Sequence, residues 1–394
     1  MAVPRLLSFD VRGQKGSLPA LGLGTATLFS DDLVNAIRHA IRVGYRHFDT
    51  ALLYNNQDAV GRALAGAIAA GDVKREDLFV TTKVAFYPAE HTGTNGFAPI
   101  AFHPLNRKTH ADTAAAIDHC LQLLQLDYVD LCLIHNPLTD MAEYSASAAP
   151  HAFELSNSLL CADERELILS RRLAAVQHTG ESGEAARADC WRALEAAQVA
   201  GKVRFIGVSN YPAALVAAMT KYATVLPAVN QLEFHPRASS PALRALARDM
   251  GFVITAYGSG NSVRIEKSPA VAKIGARHGL SANAVILLWT IARGVAVIPR
   301  TNKAAKIDEN WETCTRKSPL TEEDERTLDS MNEAHFYCEH FFECRRGQYR
   351  LGGTPRIIAF LLTTNPSPRA LTHIRKNADW SPMPCLPAGS TPDL

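Results

Sequence analysis

A long hydrophobic run is absent from this 394-residue sequence. A membrane-spanning helix needs roughly 18 or more consecutive apolar residues. Residues 1–5 are followed by a polar stretch, without the apolar core of a secretory signal. We therefore expect a soluble, cytoplasmic protein that does not enter a membrane.

An excess of one charge is also lacking. The chain has 41 Lys and Arg against 39 Asp and Glu, which gives a formal net charge of +2. Proteins that bind nucleic acid or anionic lipid surfaces usually carry a basic face or a basic run. We expect neither partner, and a small molecule is the expected ligand.

Cysteine is sparse and scattered, with eight residues in the whole chain. Cys120, Cys132 and Cys190 lie in segments with helical or strand periodicity, whereas disulfide frameworks occur in short, cysteine-dense secreted domains. Reduced thiols are the expected state.

Paired C-x-x-C motifs, which would indicate zinc, are missing as well. One stretch near the C-terminus has the mixed order His335, Cys338, His340 and Cys344. Without the paired arrangement this order is weak support for a metal site, and we predict none.

A Rossmann dinucleotide fingerprint is incomplete. Gly22 and Gly24 supply its first two glycines, but Thr27 occupies the third position, and the short βαβ unit that should follow is not there. A doubly wound fold is therefore disfavoured.

What the sequence does contain is an alternation of short apolar runs with segments of helical periodicity. Eight runs read as strands, at residues 20–22, 45–48, 78–82, 128–133, 204–208, 228–231, 252–255 and 295–298. The helical segments are 31–42, 58–70, 112–124, 188–200, 212–221, 241–250, 269–278, 281–292 and 304–311. Eight strand–helix units predict a (β/α)8 TIM barrel. Residues 7–11 and 18–23, around a glycine-containing turn, predict an N-terminal hairpin that caps one end.

Three stretches are too long for simple connections. Residues 85–111 and 138–187 follow strands, so we expect two insertions that overhang the C-terminal face of a barrel spanning residues 1–337. Within the second, residues 164–176 look helical and residues 180–184 look flexible. Residues 338–394 form a C-terminal extension whose end, from Asn365, is rich in Pro and Ser and is expected to be disordered.

Polar residues stand at or just beyond nearly every predicted strand. They are Asp49, Lys83, His135, Ser209, Asn210, Gln231, Tyr257 and Arg300. Each alone has a structural explanation, such as a helix cap for Asp49, a solvated strand end for Lys83 or a core histidine for His135. In a barrel, however, these positions meet at one mouth, where chemistry occurs.

The residue types suit carbonyl reduction. A carbonyl that accepts hydride develops negative charge on oxygen and needs a proton donor. Tyr54 offers a phenol, and we expect the cation Lys83 to lower its pKa from the usual value of about 10, with Asp49 as counter-charge. His135 could orient the carbonyl or share the proton.

These segments resemble the aldo-keto reductase family. Residues 44–64, GYRHFDTALLYNNQDAVGRAL, resemble its signature, with Gln57 in place of the usual Glu, and residues 130–137, DLCLIHNP, resemble its D-x-x-x-I-H-x-P strand. The resemblance implies that Asp49, Tyr54, Lys83 and His135 are the catalytic tetrad, with Tyr54 as proton donor.

The resemblance also implies a cofactor site. Ser209, Asn210 and Gln231 would hold the nicotinamide carboxamide, and the ring would stack on Tyr257. The full set of implied cofactor residues is Thr25, Asp49, Ser209, Asn210, Gln231, Tyr257, Gly258, Ser259, Arg300, Thr301, Asn302, Lys306, Glu309 and Asn310.

Four departures from the family pattern bear on cofactor and substrate choice. Arg300 replaces a usual Lys and Lys306 a usual Arg, so a cation for the 2′-phosphate is kept but the planar fork of Arg at position 306 is lost. NADPH is the expected cofactor, with NADH as the alternative. Ala26 and Asn136 stand where many relatives have aromatic residues, which argues against a narrow aromatic substrate slot.

We therefore predict a monomeric, NADPH-dependent reductase of an aldehyde or ketone. A cofactor-sensing binding partner without catalysis, similar to potassium-channel β subunits, is the alternative, because the insertions and tail leave room for a partner. A metal-dependent barrel hydrolase built on Asp49 and His135 is disfavoured, since no further His or acid cluster completes a ligand set.

Overall fold

The computed structural model describes residues 8–11, 14, 16–87, 103–137, 139, 181–259, 265 and 267–332. All of them lie in one of two compact units of the chain, Met1–Arg345, and the other unit, Arg346–Leu394, lies outside the described residues. The predicted helix at 164–176, the His335–Cys344 stretch and the tail from Asn365 also lie outside them. The predicted division at residue 337 stays a prediction.

Two antiparallel strands form the predicted N-terminal hairpin. Strand β1 is Ser8–Val11 and strand β2 is Gly16–Pro19, with Phe9 opposite Leu18. Val11 and Leu18 are buried and belong to one cluster with side chains of the barrel strands. The hairpin therefore closes one end of the barrel, as expected.

Eight parallel strands follow in sequence order. They are β3 Gly22–Gly24, β4 His47–Asp49, β5 Phe79–Val84, β6 Val129–Ile134, β7 Val203–Ser209, β8 Val229–Glu233, β9 Val253–Tyr257 and β10 Val295–Val297. The first and last strands meet through Gly24 N–H, which donates to Pro299 O over 3.2 Å, and Val297 N–H, which donates to Ala20 O over 2.8 Å. The sheet is thus closed, and the (β/α)8 prediction is confirmed.

Ten α-helices are described around this sheet. They are α1 Ser30–Val43, α2 Gln57–Ala69, α3 His110–Leu124, α4 Glu181–Val199, α5 Ala213–Ala218, α6 Pro241–Met250, α7 Pro269–His278, α8 Ala282–Ala292, α9 Ala304–Thr315 and α10 Glu322–Asp329. Short 3₁₀ turns add Leu52–Tyr54, Arg75–Asp77, Pro104–Asn106 and Met219–Lys221.

Several boundaries differ from the prediction. Helix α4 begins at Glu181, so residues 181–184 are helical rather than flexible. Strong helix formers, Ala and Glu, outweigh the Gly and Ser residues there. The predicted bounds of the second insertion, residues 138–187, stay a prediction. Helix α10 was not predicted, although Thr321 and Asp324 form a capping box at its start. Strand β3 is shifted two residues toward the C-terminus.

The two ends of the first predicted insertion, residues 85–111, lie among the described residues, and its bounds stay a prediction. Residues 85–87 are buried, residues 106–108 are hydrogen-bonded to Phe86 and Tyr87, and helix α3 begins at His110. A local parallel bridge between Tyr87 and Arg107 joins these two ends.

Two apolar cores hold these layers. The smaller one fills the hairpin end of the barrel, and the larger one lies between the outer face of the sheet and the helices. At the end of α1, Gly44 has φ +127°, and a Cβ there would lie 2.4 Å from the Trp311 ring. A side chain at position 44 would therefore be both strained and overlapping.

Candidate active site

Strand alternation places the polar residues inside the barrel mouth. Phe79, Leu131 and Phe205 belong to the interior core. Side chains on a strand alternate between its two faces, so residues four positions later face the same interior. Those residues are Lys83, His135 and Ser209. The three come from neighbouring strands and converge at the C-terminal end, as the sequence predicted.

A buried ion pair lies at the centre of the site. Lys83 Nζ lies 2.5 Å from Asp49 Oδ1, and both side chains are at most 2% exposed. The ammonium also donates to Thr50 O over 2.9 Å. Burial lowers the pKa of Lys83, but Asp49 and Tyr54 outweigh it, and the net pKa is raised. Lys83 is therefore a permanent cation.

Tyr54 lies within reach of that cation. Lys83 Nζ donates to the Tyr54 hydroxyl oxygen over 3.3 Å and lies 4.9 Å from the ring centroid. The prediction of a lowered phenol pKa is wrong for this structure. Burial raises the pKa of Tyr54, and Lys83 lowers it by less, so the net direction is upward. The phenol consequently keeps its proton at neutral pH.

His135 faces Tyr54 across the mouth. The two rings meet edge to face with centroids 5.8 Å apart, and the Phe86 ring packs against His135 at 5.0 Å. Burial lowers the pKa of His135 well below its usual 6.5, and the nearby cations Lys83 and Lys108 act in the same direction. The imidazole is therefore neutral, and its Nδ1 has no hydrogen-bond partner among the described residues.

A chain of amides and hydroxyls extends from this centre along β7, β8 and β9. Tyr257 donates its hydroxyl to Asn210 Oδ1 over 2.7 Å, and Asn210 Nδ2 donates to His135 O over 3.0 Å. Ser209 Oγ donates to Gln231 O, and Gln231 Nε2 donates to Asp49 Oδ2 over 2.7 Å. Four predicted cofactor residues are thus brought together beside the ion pair.

The structure also describes three further predicted cofactor residues, namely Thr25, Gly258 and Ser259. Thr25 is fully buried, and its hydroxyl donates to Asp49 O over 2.9 Å. Ser259 is also buried and donates to Phe234 O over 3.1 Å. Gly258, between Tyr257 and Ser259, has φ +72°, a conformation that glycine adopts without strain.

The residues predicted to bind the adenosine part of the cofactor follow β10 in the chain. Arg300 is exposed and donates to Ala26 O over 3.2 Å and to the Thr27 hydroxyl. Asn302 Nδ2 donates to Asp32 Oδ2, and the backbone N–H of Lys303 donates to the Thr301 hydroxyl.

On helix α9 the predicted residues differ in exposure. Lys306 is exposed and lies 2.6 Å from Glu309 Oε2. Asn310 is 3% exposed, and its Oδ1 accepts from Asn283 Nδ2 over 2.8 Å. Asn310 lies one helical turn after Lys306, and it is buried whereas Lys306 is exposed.

The donor set fits a nicotinamide cofactor. Among the described residues, Gln231 Oε1 makes no hydrogen bond, while Nε2 of the same amide is fixed by Asp49. A fixed amide with a spare acceptor complements the N–H groups of a carboxamide. The exposed guanidinium of Arg300 and ammonium of Lys306 suit phosphate groups.

Two residues near His135, Phe86 and Lys108, were not predicted to belong to the site. Lys108 and Phe86 lie at the two ends of the first predicted insertion and both contact Asn136. No local motif marks Lys108, because its partner Asn136 lies 28 residues later in the chain.

Within the described part of the chain, no group of three or more His, Cys, Asp or Glu residues could hold a metal ion. Over the same residues, no helix is long and apolar enough to cross a membrane.

A closed parallel barrel with a buried Asp–Lys pair, a tyrosine and a histidine at its C-terminal mouth is the architecture of a barrel oxidoreductase. The Aldo/keto reductase family model matches residues 20–333, and the chain belongs to that family. It is an NAD(P)H-dependent oxidoreductase that reduces carbonyl groups.

Characterised relatives are similar over most of their length. The chain is 33% identical over 308 residues to an NAD(P)H-dependent D-xylose reductase of Scheffersomyces stipitis, covering 74% of this chain and 85% of the relative. It is 32% identical over 299 residues to a D-galacturonate reductase of Hypocrea jecorina, covering 75% and 82%.

Solved structures show the same barrel. An aldo-keto reductase of the silkworm Bombyx mori matches with a TM-score of 0.64 and 25% identity, covering 84% of this chain and 89% of that one. The aldose reductase of Schistosoma japonicum matches with a TM-score of 0.62 and 25% identity, covering 84% and 94%.

Proposed function

We propose that the protein reduces an aldehyde or ketone with NADPH, and that Tyr54 donates the proton. The single observation that carries this proposal is the double contact of Lys83. Its ammonium binds the carboxylate of Asp49 at 2.5 Å and the hydroxyl of Tyr54 at 3.3 Å. A phenol held against a permanent cation can release its proton to a neighbouring oxygen, because the cation stabilises the phenolate that remains.

The protonation states support the division of roles. The raised pKa of Tyr54 keeps a proton available for transfer, and the lowered pKa of His135 leaves a neutral imidazole. A neutral imidazole can donate a hydrogen bond to the carbonyl oxygen and orient it, but it is a poor proton donor. We assign proton transfer to Tyr54 and orientation to His135.

The amide and hydroxyl groups at the ends of β7, β8 and β9 would hold the nicotinamide end of the cofactor. Bound NADPH supplies the hydride for the carbonyl carbon. Gln231 and Asn210 would bind the carboxamide, and the nicotinamide ring would stack on Tyr257. Gln231 would then bind Asp49 through Nε2 and the cofactor through Oε1.

NADPH is the proposed cofactor because two exposed cations, Arg300 and Lys306, lie where the adenosine 2′-phosphate is expected. The pairing of Lys306 with Glu309 opposes this preference, since it partly neutralises the ammonium. We therefore propose a modest preference for NADPH with measurable use of NADH.

The relatives suggest where to look for substrates. One is a reductase of D-xylose and another of D-galacturonate. Sugar aldehydes and uronates therefore belong in a substrate panel beside simple aliphatic and aromatic carbonyl compounds. The monomeric state and the cytoplasmic location stay predictions.

Replacement of Tyr54 by Phe tests the assignment. We expect carbonyl-dependent NADPH oxidation, followed by absorbance, to fall by on the order of 100-fold or more, while NADPH still quenches protein fluorescence with a nearly unchanged Kd. Tyr45→Phe is the matched control for turnover, because Tyr45 is a buried phenol outside the mouth whose hydroxyl donates to Ile307 O and also bonds the Asn310 side chain. Turnover by Tyr54→Phe at the wild-type rate would contradict the proton-donor role.

A further inference from the structure

Three polar groups beside the mouth form a closed hydrogen-bonded triangle. Lys108 Nζ donates to Phe86 O over 2.8 Å and to Asn136 Oδ1 over 2.7 Å. Asn136 Nδ2 donates to Phe86 O over 3.0 Å. Lys108 is 2% exposed and Asn136 1% exposed, so water does not compete for these bonds.

The triangle holds His135 from two directions. Asn136 is the next residue in the chain, so it fixes the backbone of His135. Phe86 carries the aromatic ring that packs edge to face on the imidazole, with centroids 5.0 Å apart and an interplanar angle of 74°. Two of the neighbours of His135, Asn136 along the chain and Phe86 through space, are thus joined by one ammonium.

The supporting segments are themselves tied together. Asn106 Oδ1 accepts from Phe86 N–H over 3.1 Å, and the backbones of Tyr87 and Lys108 exchange hydrogen bonds with the opposite segment. Tyr87 N–H donates to Asn106 O, and Lys108 N–H donates to Tyr87 O, each over 2.8 Å. The backbone that carries Lys108 is therefore fixed by hydrogen bonds to the segment that contains Phe86 and Tyr87.

We propose that Lys108 and Asn136 are positioning residues for His135. Their triangle with the Phe86 carbonyl sets the place and orientation of the imidazole against Tyr54. The argument rests on the proposed role of His135 in orienting the carbonyl. Directly before Pro137 this chain has an amide, Asn136, that is engaged with Lys108 and Phe86. Asn136 thus acts on the substrate through His135, not by contact with it.

Lys108 also acts on His135 through its positive charge. Among the described residues, the ionisable groups that face His135 are Tyr54, after β4, Lys83, on β5, and Lys108, before α3. Burial is the largest cause of the low pKa of His135, and the cations Lys83 and Lys108 lower it further. Removal of the Lys108 charge should therefore raise the pKa of the imidazole.

The test uses the full-length protein with ¹³C-labelled histidine, in which the His135 signal is assigned by its loss in His135→Asn. Lys108→Met removes the charge and the triangle, and Asn136→Ala removes the amide but keeps the charge. Arg75→Met is the matched control, because Arg75 binds Asp130 at the opposite end of the same strand, β6, over 2.8 Å.

We expect Lys108→Met to raise the pKa of His135 and to lower kcat by on the order of 10- to 100-fold, with Kd for NADPH unchanged. Asn136→Ala should shift the His135 resonance and lower kcat in the same way, and its smaller perturbation keeps the test informative if Lys108→Met does not fold. Arg75→Met should lower stability without either effect.

The inference is overturned if Lys108→Met titrates like wild type at His135, or if Asn136→Ala retains the wild-type kcat and His135 signal. The titration needs no turnover. A failure of this inference is therefore distinguishable from a failure of the proposed reaction, which Tyr54→Phe tests by itself.

Discussion

Gln231 donates a hydrogen bond from Nε2 to Oδ2 of Asp49 over 2.7 Å, and Lys83 binds the other oxygen, Oδ1, of the same carboxylate. Both acceptors of a buried acid are thus engaged by groups from opposite sides of the barrel. The sequence indicated Gln231 only as a ligand of the carboxamide. Its contact with Asp49 links the cofactor side of the mouth to the ion pair that governs Tyr54.

Gln231→Leu should destabilise the protein by about 1.5–3 kcal/mol, because a hydrogen bond to a buried charge is lost. It should also raise the Kd for NADPH. Urea unfolding and fluorescence quenching measure the two effects. Gln57→Leu is the matched control, since Gln57 is an equally buried amide whose Nε2 donates to the neutral hydroxyl of Thr82. Equal losses of stability in both variants would contradict the importance of the Asp49 contact.

Lys83→Met should destabilise the protein by about 3–5 kcal/mol, since it leaves the buried Asp49 carboxylate without its counter-charge. The double variant Asp49→Asn, Lys83→Met should recover most of that stability, because no unpaired charge remains. Neither variant should show turnover above about 1% of wild type, since Tyr54 has lost its cation. Urea unfolding and steady-state kinetics separate the two properties.

A double variant as unstable as Lys83→Met would mean that the pair contributes through packing rather than through charge. If the double variant recovered both stability and turnover, the proposed role of Lys83 in proton transfer from Tyr54 would be wrong.

The barrel and the residues of its mouth were predictable from sequence for a physical reason. Each strand is a short apolar run, and period-two alternation fixes which side chains face the interior. Once Phe79 and Leu131 are interior, Lys83 and His135 must be interior too. The capping box of Thr321 was an equally local signal that the prediction overlooked.

What sequence could not supply depends on long-range packing. The pKa of Tyr54 moves upward because burial outweighs Lys83, and burial is set by the whole mouth. The pairing of Lys108 with Asn136 joins residues on separate elements, so no local pattern marks it. Likewise, nothing in the sequence around Gln231 indicates that its partner is Asp49, 182 residues away.

The buried His47 should make stability depend on pH. Burial lowers its pKa from 6.5 to about 4. The unfolded chain therefore binds a proton that the folded chain does not, and the stability from this histidine is present above pH 6.5 and lost as pH falls toward 4. Between pH 7.5 and 5, the free energy of unfolding of wild type should fall by about 2 kcal/mol more than that of His47→Gln. Urea unfolding at several pH values measures the difference, and parallel pH curves would contradict it.

Lys306 should decide between the two cofactors because its ammonium lies on the exposed face of α9, where the 2′-phosphate is expected. Its present partner is Glu309, at 2.6 Å, in a pair that is itself partly exposed. An exposed ion pair contributes only about 1 kcal/mol or less, so a phosphate can compete with Glu309 for the cation.

Lys306→Ala should raise KM for NADPH about fivefold and leave KM for NADH unchanged. Lys306→Arg should lower KM for NADPH, since a guanidinium can bind phosphate with two parallel hydrogen bonds. Lys303→Ala removes a neighbouring exposed cation at the start of the same helix and controls for net charge. If Lys303→Ala and Lys306→Ala raise KM for NADPH equally, the effect is one of overall charge, and the assignment of Lys306 to the 2′-phosphate is wrong.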